Sequence, residues 1–188
     1  MIAIGLTGKS GSGKDTAADY LKEKGFFYYS LSDIIREECE KRGLEKKRDN
    51  LIKIGNELRK KNGPSVLADK TIRKIRNKNL DKVIISSIRN SGEVKSLKKL
   101  PKFILINVEV PVQIRFQRIK KRKREDDSGV SLEKFKEQEE RESLGNDPAK
   151  QQLNKVIQMS DYDIDNSGSL DNLYQGIDKV LKKENFET

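Results

Sequence analysis

The chain has 188 residues, the size of one domain on a scale of roughly 100–200 residues per domain, and 34% of them are hydrophobic against 37% charged. Forty Lys+Arg against thirty Asp+Glu leave a net charge of +10, a balance that attracts polyanions: nucleic acid, an acidic membrane surface or a small phosphorylated ligand. With no histidine and with Cys39 as the one cysteine, the composition excludes His-based triads, His metal ligands, imidazole proton shuttles, an intrachain disulfide and a Cys-cluster zinc site.

Taken in chain order, short apolar runs predict strands at Ile2–Thr7, Phe26–Ser30, Lys82–Ser87, Phe103–Val108 and Tyr162–Asp165. The first four are each followed by a charged segment of helical period. Continuous rather than alternating hydrophobicity in Val83-Ile84-Ile85 and Phe103-Ile104-Leu105-Ile106 is the mark of strands covered on both faces. Strands alternating with helices read as an α/β fold on a parallel sheet. The spacing is uneven, so two helical, Lys/Arg/Glu-rich insertions are expected on the C-terminal rim of the sheet, at Asp33–Leu80 and Pro111–Met159. No run approaches the ~18 apolar residues of a membrane span, and no charged region precedes an apolar leader, so the expected setting is cytoplasmic.

Gly8-Lys9-Ser10-Gly11-Ser12-Gly13-Lys14 follows the first predicted strand and opens a predicted helix. This is the G-x-x-x-x-G-K core of a phosphate-binding P-loop in the context that confirms it. The glycines let backbone N–H groups turn toward phosphates, the helix N-terminus adds partial positive charge, and Lys14 is placed to bridge the terminal phosphates. ATP with Mg²⁺ is therefore the expected cofactor pair. Asp15 stands where a Ser or Thr commonly ligates Mg²⁺, with Thr16 next. A carboxylate beside a triphosphate is repelled unless a divalent cation lies between them, so Asp15 is the candidate metal ligand and Thr16 the candidate contact to an inner phosphate. The bland alternative is that Asp15 complements the helix dipole, worth ~0.3–1 kcal/mol. At the end of the third strand, Ser86-Ser87 occupies the place of a Walker B aspartate.

Several other residues carry chemistry or have a plain reading beside it. Asp33 fits either acid/base or metal work or a capping box begun by Ser30. Arg36 lies in the first turn of the next helix, where a phosphate would offset an unfavourable dipole. Arg89 falls just beyond a strand's C-terminal end, in the crevice where open α/β sheets bind ligands. Arg115, Arg118 and Arg122 share one helical face, and guanidinium forks suit phosphates. Of these, Arg118 and Arg122 are the candidates to clamp donor phosphates, within a lid at about 115–140 tipped by Asp126–Gly129. Cys39, Tyr28 and Tyr29 read as packing residues.

On these motifs the chain resembles the nucleoside monophosphate kinase-like group of P-loop enzymes. Gly5-Leu6-Thr7-Gly8 through Gly13-Lys14 resembles the opening of dephospho-CoA kinases, whereas Gly13-Lys14-Asp15-Thr16 is similar to deoxynucleoside monophosphate kinases. Asp33-Ile34-Ile35-Arg36 is similar to the element after strand two in both. The resemblance implies that Arg36 holds the acceptor's phosphate and that Asp33 serves as base for an acceptor hydroxyl. Ile88-Arg89 with Glu93-Val94, and Arg48 through Arg59, resemble the deoxynucleotide kinases, implying acceptor-phosphate contact by Arg89. Pro111-Val112-Gln113, Arg118, Arg122, Gln151 and Asp163–Leu170 resemble the dephospho-CoA kinases, implying that Asn166, Ser167 and Gly168 border the adenine. The implied fold is a three-layer P-loop kinase with five parallel strands, a helical acceptor-binding insertion at about 33–80 and a lid. The implied function is transfer of the ATP γ-phosphate to a nucleotide-like acceptor, first a nucleoside or deoxynucleoside monophosphate, alternatively dephospho-CoA. A nucleotide-dependent regulator or nucleic-acid-binding ATPase is the alternative of another class. Against it stand the absence of a recognised nucleic-acid module and an aromatic content of 6%, low for base stacking.

Overall fold

A computed structural model describes residues 1–122, 131–143 and 147–186. Five strands, β1 (Ile2–Thr7), β2 (Phe27–Ser30), β3 (Lys82–Ser86), β4 (Phe103–Glu109) and β5 (Tyr162–Asp165), form one parallel sheet in the order β2-β3-β1-β4-β5. The observed strand limits differ from the expected ones by at most one residue. The described helices are α1 (Lys14–Glu23), α2 (Leu31–Lys41), α3 (Arg48–Asn62), α4 (Val66–Asn77), α5 (Ser91–Leu97), α6 (Val112–Arg122), α7 (Leu132–Ser143), α8 (Leu153–Gln158) and α9 (Leu170–Lys183).

The apolar runs are continuous because alternate residues serve two different cores. Ala3, Val83, Ile85 and Leu105 face one side, packed against Leu31 and Ile35 of α2, Ile54 of α3, Leu67 of α4 and Leu97 of α5. Their neighbours Ile4, Leu6, Ile84, Ile104 and Ile106 face the other, against Ala17 and Leu21 of α1 and Leu173 and Ile177 of α9. Fully burying one such side chain contributes ~1.5–3 kcal/mol, so the doubly covered central strands hold the sheet together.

The first long insertion folds as α2, α3 and α4, and the second as α6, α7 and α8. β1 lies at the centre of the sheet, and the chain leaves β1 toward β2 on one side while β4 and β5 extend the other. This reversal opens a crevice at the C-terminal ends of the strands, the usual ligand position in open α/β sheets. Among the described residues, no helix is long and apolar enough to cross a membrane.

Candidate active site

The loop between β1 and α1 owes its shape to glycine. Gly8 has φ 137°, and a Cβ there would lie 2.3 Å from the Val108 carbonyl oxygen. Gly13, the residue before α1, has φ 97°, and a Cβ would fall 2.2 Å from Nδ2 of Asn166. Gly13 at the N-cap of α1 makes no side-chain cap bond, so the helix start is left to an outside acceptor, with the helix dipole favouring an anion there. Lys14 curls over its own loop, its Nζ donating to the Lys9 carbonyl at 2.9 Å and reaching Ser12 Oγ at 3.5 Å. Ser12 is fully buried as part of the loop's floor.

Three side chains, two of them buried, fasten this loop to the body. Asn166, 3% exposed, donates from Nδ2 to the Ser12 carbonyl at 2.8 Å, while its backbone N–H bonds Glu109. Arg118 donates to the carbonyl of Asn166 at 2.8 Å. Arg115 is buried: Nη1 donates to the Ser10 carbonyl, Nε donates to Val110, and the guanidinium pairs with Glu139 of α7. Arg115 and Arg118 thus share a helical face but not a task. Arg115 ties α7 to the loop, whereas Arg118 also lines the open cleft.

That cleft, about 840 Å³, runs from the loop to the ends of β2 and β3. At its phosphate-loop end lie Ser10, Gly11, Gly13, Lys14, Asp15, Thr16 and Arg118. At the other end lie Asp33 and Arg36 from α2, Arg48 and Arg59 from α3, Arg89 after β3, and Gln151. The phosphate loop and the candidate residues Asp33, Arg36 and Arg89 therefore share one cavity. Asp33 and Arg36 are solvent-accessible and 3.9 Å apart. Arg89 Nη1 donates to Oε1 of Gln151 at 3.1 Å. Ser30 caps α2 by accepting from Ser32 N–H rather than through a capping box with Asp33, which leaves the Asp33 carboxylate facing the cleft.

The Walker B position is occupied by hydroxyls. Ser86 Oγ lies 2.6 Å from Tyr28 OH, and Ser30 Oγ bonds both Ser32 Oγ (2.7 Å) and Ser87 Oγ (2.9 Å). Ser87 is held at φ 60°, a left-handed conformation that costs a non-glycine residue on the order of 1–2 kcal/mol and clusters at functional sites. Tyr28 is accordingly a cleft-lining residue that is 38% exposed, not the packing residue its sequence context suggests. The apolar neighbours in its strand gave no hint that its hydroxyl would reach β3.

Among the described residues, no three His, Cys, Asp or Glu side chains converge as a metal site. The donor set does fit a hydrated Mg²⁺ brought in by phosphates, because such an ion takes one or two protein ligands beside water and phosphate oxygens. Asp15 is exposed in the first turn of α1 on the cleft wall, with Thr16 beside it. Ser167 and Gly168 lie in the turn before α9, where Asp165 accepts from the Ser167 N–H and hydroxyl; these bonds hold the exposed Asp165 carboxyl below its ordinary pKa. The side chain of Arg122 and the lid tip at Asp126–Gly129 lie outside the described residues.

A phosphate loop at the end of a central parallel strand, facing a cation-lined cleft, defines a P-loop protein with the kinase architecture. A family model described as "AAA domain" matches residues 4–145. Over its whole length the fold is also similar to a shikimate kinase from Aquifex aeolicus (TM-score 0.57, 14% identity, all of both chains covered). Among curated sequences the chain is 33% identical to a UPF0200 protein of Thermococcus gammatolerans, over 97% of this chain and 95% of that one. It is 37% identical to a UPF0200/UPF0201 protein of Archaeoglobus fulgidus over 97% of this chain, which spans 56% of that longer relative. The chain belongs to the AAA-domain P-loop family and to the UPF0200 family.

Arg59 and Glu93 fall within the stretches that resemble deoxynucleotide kinases, but sequence reasoning gave neither a role. They are 34 positions apart, so nothing local in the sequence pairs them. A local signal for Glu93 was Asn90-x-x-Glu93, a capping-box pattern that the structure realises at α5.

Proposed function

We propose that this protein is an ATP- and Mg²⁺-dependent phosphotransferase whose acceptor is a phosphorylated, nucleotide-like small molecule, first a nucleoside or deoxynucleoside monophosphate. The observation that carries this reading is the single cleft in which Lys14 and the uncapped start of α1 at one end face Arg36 and Arg89 at the other. Such an arrangement does little covalent chemistry. It aligns two anions that repel in water and neutralises the charge that spreads over the transferred group.

In this reading the main-chain amides of Ser10–Gly13 and the Lys14 ammonium hold the donor phosphates. Arg118, fixed by the Asn166 carbonyl, contributes charge from the α6 side, as does Arg122. Asp15 and the Thr16 hydroxyl would hold Mg²⁺, which when bound supplies further neutralisation of the phosphate oxygens. Arg36 and Arg89 hold the acceptor's phosphate, and Gln151 steers Arg89. A monophosphate acceptor is already ionised and needs no base, so Asp33 would orient it. A hydroxyl acceptor would use Asp33 to accept its proton. The turn at Asn166, Ser167 and Gly168 would border the donor base, with the Asn166 side chain committed to the loop beneath. The insertion at about 33–80 acts as the acceptor-binding unit and about 115–140 as the lid.

A dephospho-CoA kinase is the second reading, supported by the resemblance of Pro111-Val112-Gln113, Arg118, Arg122, Gln151 and Asp163–Leu170 to those enzymes and by Arg118 and Gln151 lying on the cleft wall. One experiment separates the two: incubation with Mg·ATP and each nucleoside monophosphate, deoxynucleoside monophosphate or dephospho-CoA, with products identified by mass. A diphosphate product supports the first reading, and a 3′-phosphorylated coenzyme supports the second. ATP hydrolysis that is indifferent to every acceptor counts against both.

A further inference from the structure

The acceptor half of the cleft contains a charge pair that the reading above does not use. The side chains of Arg59 and Glu93 are 2% and 0% exposed, and Nε and Nη2 of Arg59 both donate to Oε1 of Glu93, at 3.0 and 2.8 Å. Oε2 of Glu93 accepts the backbone N–H groups of Arg89 (2.8 Å) and Asn90 (3.0 Å). The carboxylate is thereby saturated. Arg59 is not: among the described residues its Nη1 has no hydrogen-bond partner, although the residue lines the cleft. Gly55, one turn earlier in α3, keeps that edge open, since a Cβ there would approach Nη1 to 3.4 Å and Ile35 Cδ1 to 3.0 Å.

A guanidinium pinned on one edge to a saturated carboxylate, with its other edge on the cleft wall, can take a further acceptor there without giving up the first. A planar fork in that position matches oxygen pairs on a phosphate or carboxylate. Charge selects between the two. The same end of the cleft carries Arg36, Lys46, Arg48 and Arg89 against the carboxylate of Asp33, so a dianion balances it better than a monoanion.

We propose that Arg59 is a further substrate-binding residue, taking a phosphate oxygen of the acceptor from the α3 side, with Glu93 as the positioning residue that fixes Arg59 and the backbone of Arg89 together. The proposal rests on the phosphotransferase reading for the identity of the substrate, but the anion site itself stands on its own geometry.

The test uses the full chain labelled with ¹⁵N-arginine and saturated with Mg·ATP, titrated with inorganic phosphate or with acetate at matched ionic strength. The Arg59 Nε–Hε resonance, assigned by its loss in Arg59→Lys, is expected to shift saturably with phosphate and not with acetate. Arg59→Lys is expected to weaken phosphate binding at least tenfold while changing ATP affinity less than twofold. An Arg59 resonance unmoved by phosphate overturns the proposal, as does a folded Arg59→Lys variant that binds phosphate as tightly as the parent. Equal response to acetate overturns the choice of a dianion. If Arg59→Lys does not fold, a resonance absent after Arg59→Gln provides the assignment and the parent titration decides. If ATP fails to bind, the donor reading falls while the Arg59 signal still reports on the anion site.

Discussion

Replacing Asn166 by Ala removes one buried hydrogen bond and nothing else of size. The Nδ2 group lies 2.8 Å from the Ser12 carbonyl oxygen, beneath a loop whose Ser12 is wholly enclosed, so no water stands ready to replace it. Leaving a buried acceptor unsatisfied costs about 1–3 kcal/mol, and for a chain of this length 1 kcal/mol corresponds to about 2–4 °C in Tm. A loss of ~2 kcal/mol therefore appears as a drop of about 4–8 °C by scanning calorimetry. Because the damage acts through loop geometry, affinity should fall by the same factor for ATP, GTP and inorganic triphosphate. An Asn166→Ala variant with unchanged Tm, weakened for ATP alone, would refute the reasoning and make Asn166 a base reader. Gly13→Ala gives a companion result: trimming Asn166 removes the 2.2 Å clash, but φ 97° remains, so the double variant regains part of the lost stability and not all.

Glu93→Ala strands Arg59 in the interior, so a loss of ~3–5 kcal/mol is expected, visible as a midpoint shift in urea unfolding. Asp15→Asn should raise the Mg²⁺ concentration needed for half-maximal turnover, and an unchanged Mg²⁺ dependence would assign Asp15 to the helix dipole instead. The Asp178 carboxyl lies below its ordinary value, because hydrogen bonds from Lys24 and Tyr20 outweigh the opposing effect of burial. A depressed carboxyl stabilises above its unfolded pKa of about 3.9 and loses that contribution as pH falls through the lower folded value. Asp178→Asn should thus cost under ~1 kcal/mol at pH 7, since the group is 44% exposed, and the gap from the parent should close in strong acid.

The sheet was readable because its signal is local. Runs such as Val83-Ile84-Ile85 can sit only where both faces are covered, and Gly8–Lys14 needs no distant partner to be recognised. The buried staples were not readable, because each depends on which residues the sheet order brings together. Asn166 and Ser12 meet because β5 ends near the loop after β1, a relation their separation of 154 positions does not encode. Arg115 and Arg118 differ by one helical turn in sequence, yet one is sealed beneath α7 by Glu139 and the other borders the cleft. Arg59 was named only as the end of a resembling stretch, because nothing in a basic helix end says which cation turns inward. Tyr28 was placed with the packing residues, because strand periodicity predicts a face and not the hydroxyl network that joins it to Ser86.

The most direct measurement is isothermal titration calorimetry of the folded chain with Mg·ATP, repeated on Lys14→Ala. Saturable heat at a stoichiometry of one, weakened at least ~100-fold in the variant, is the predicted result. No heat with any nucleoside triphosphate, or equal affinity after Lys14 is removed, would contradict the donor site.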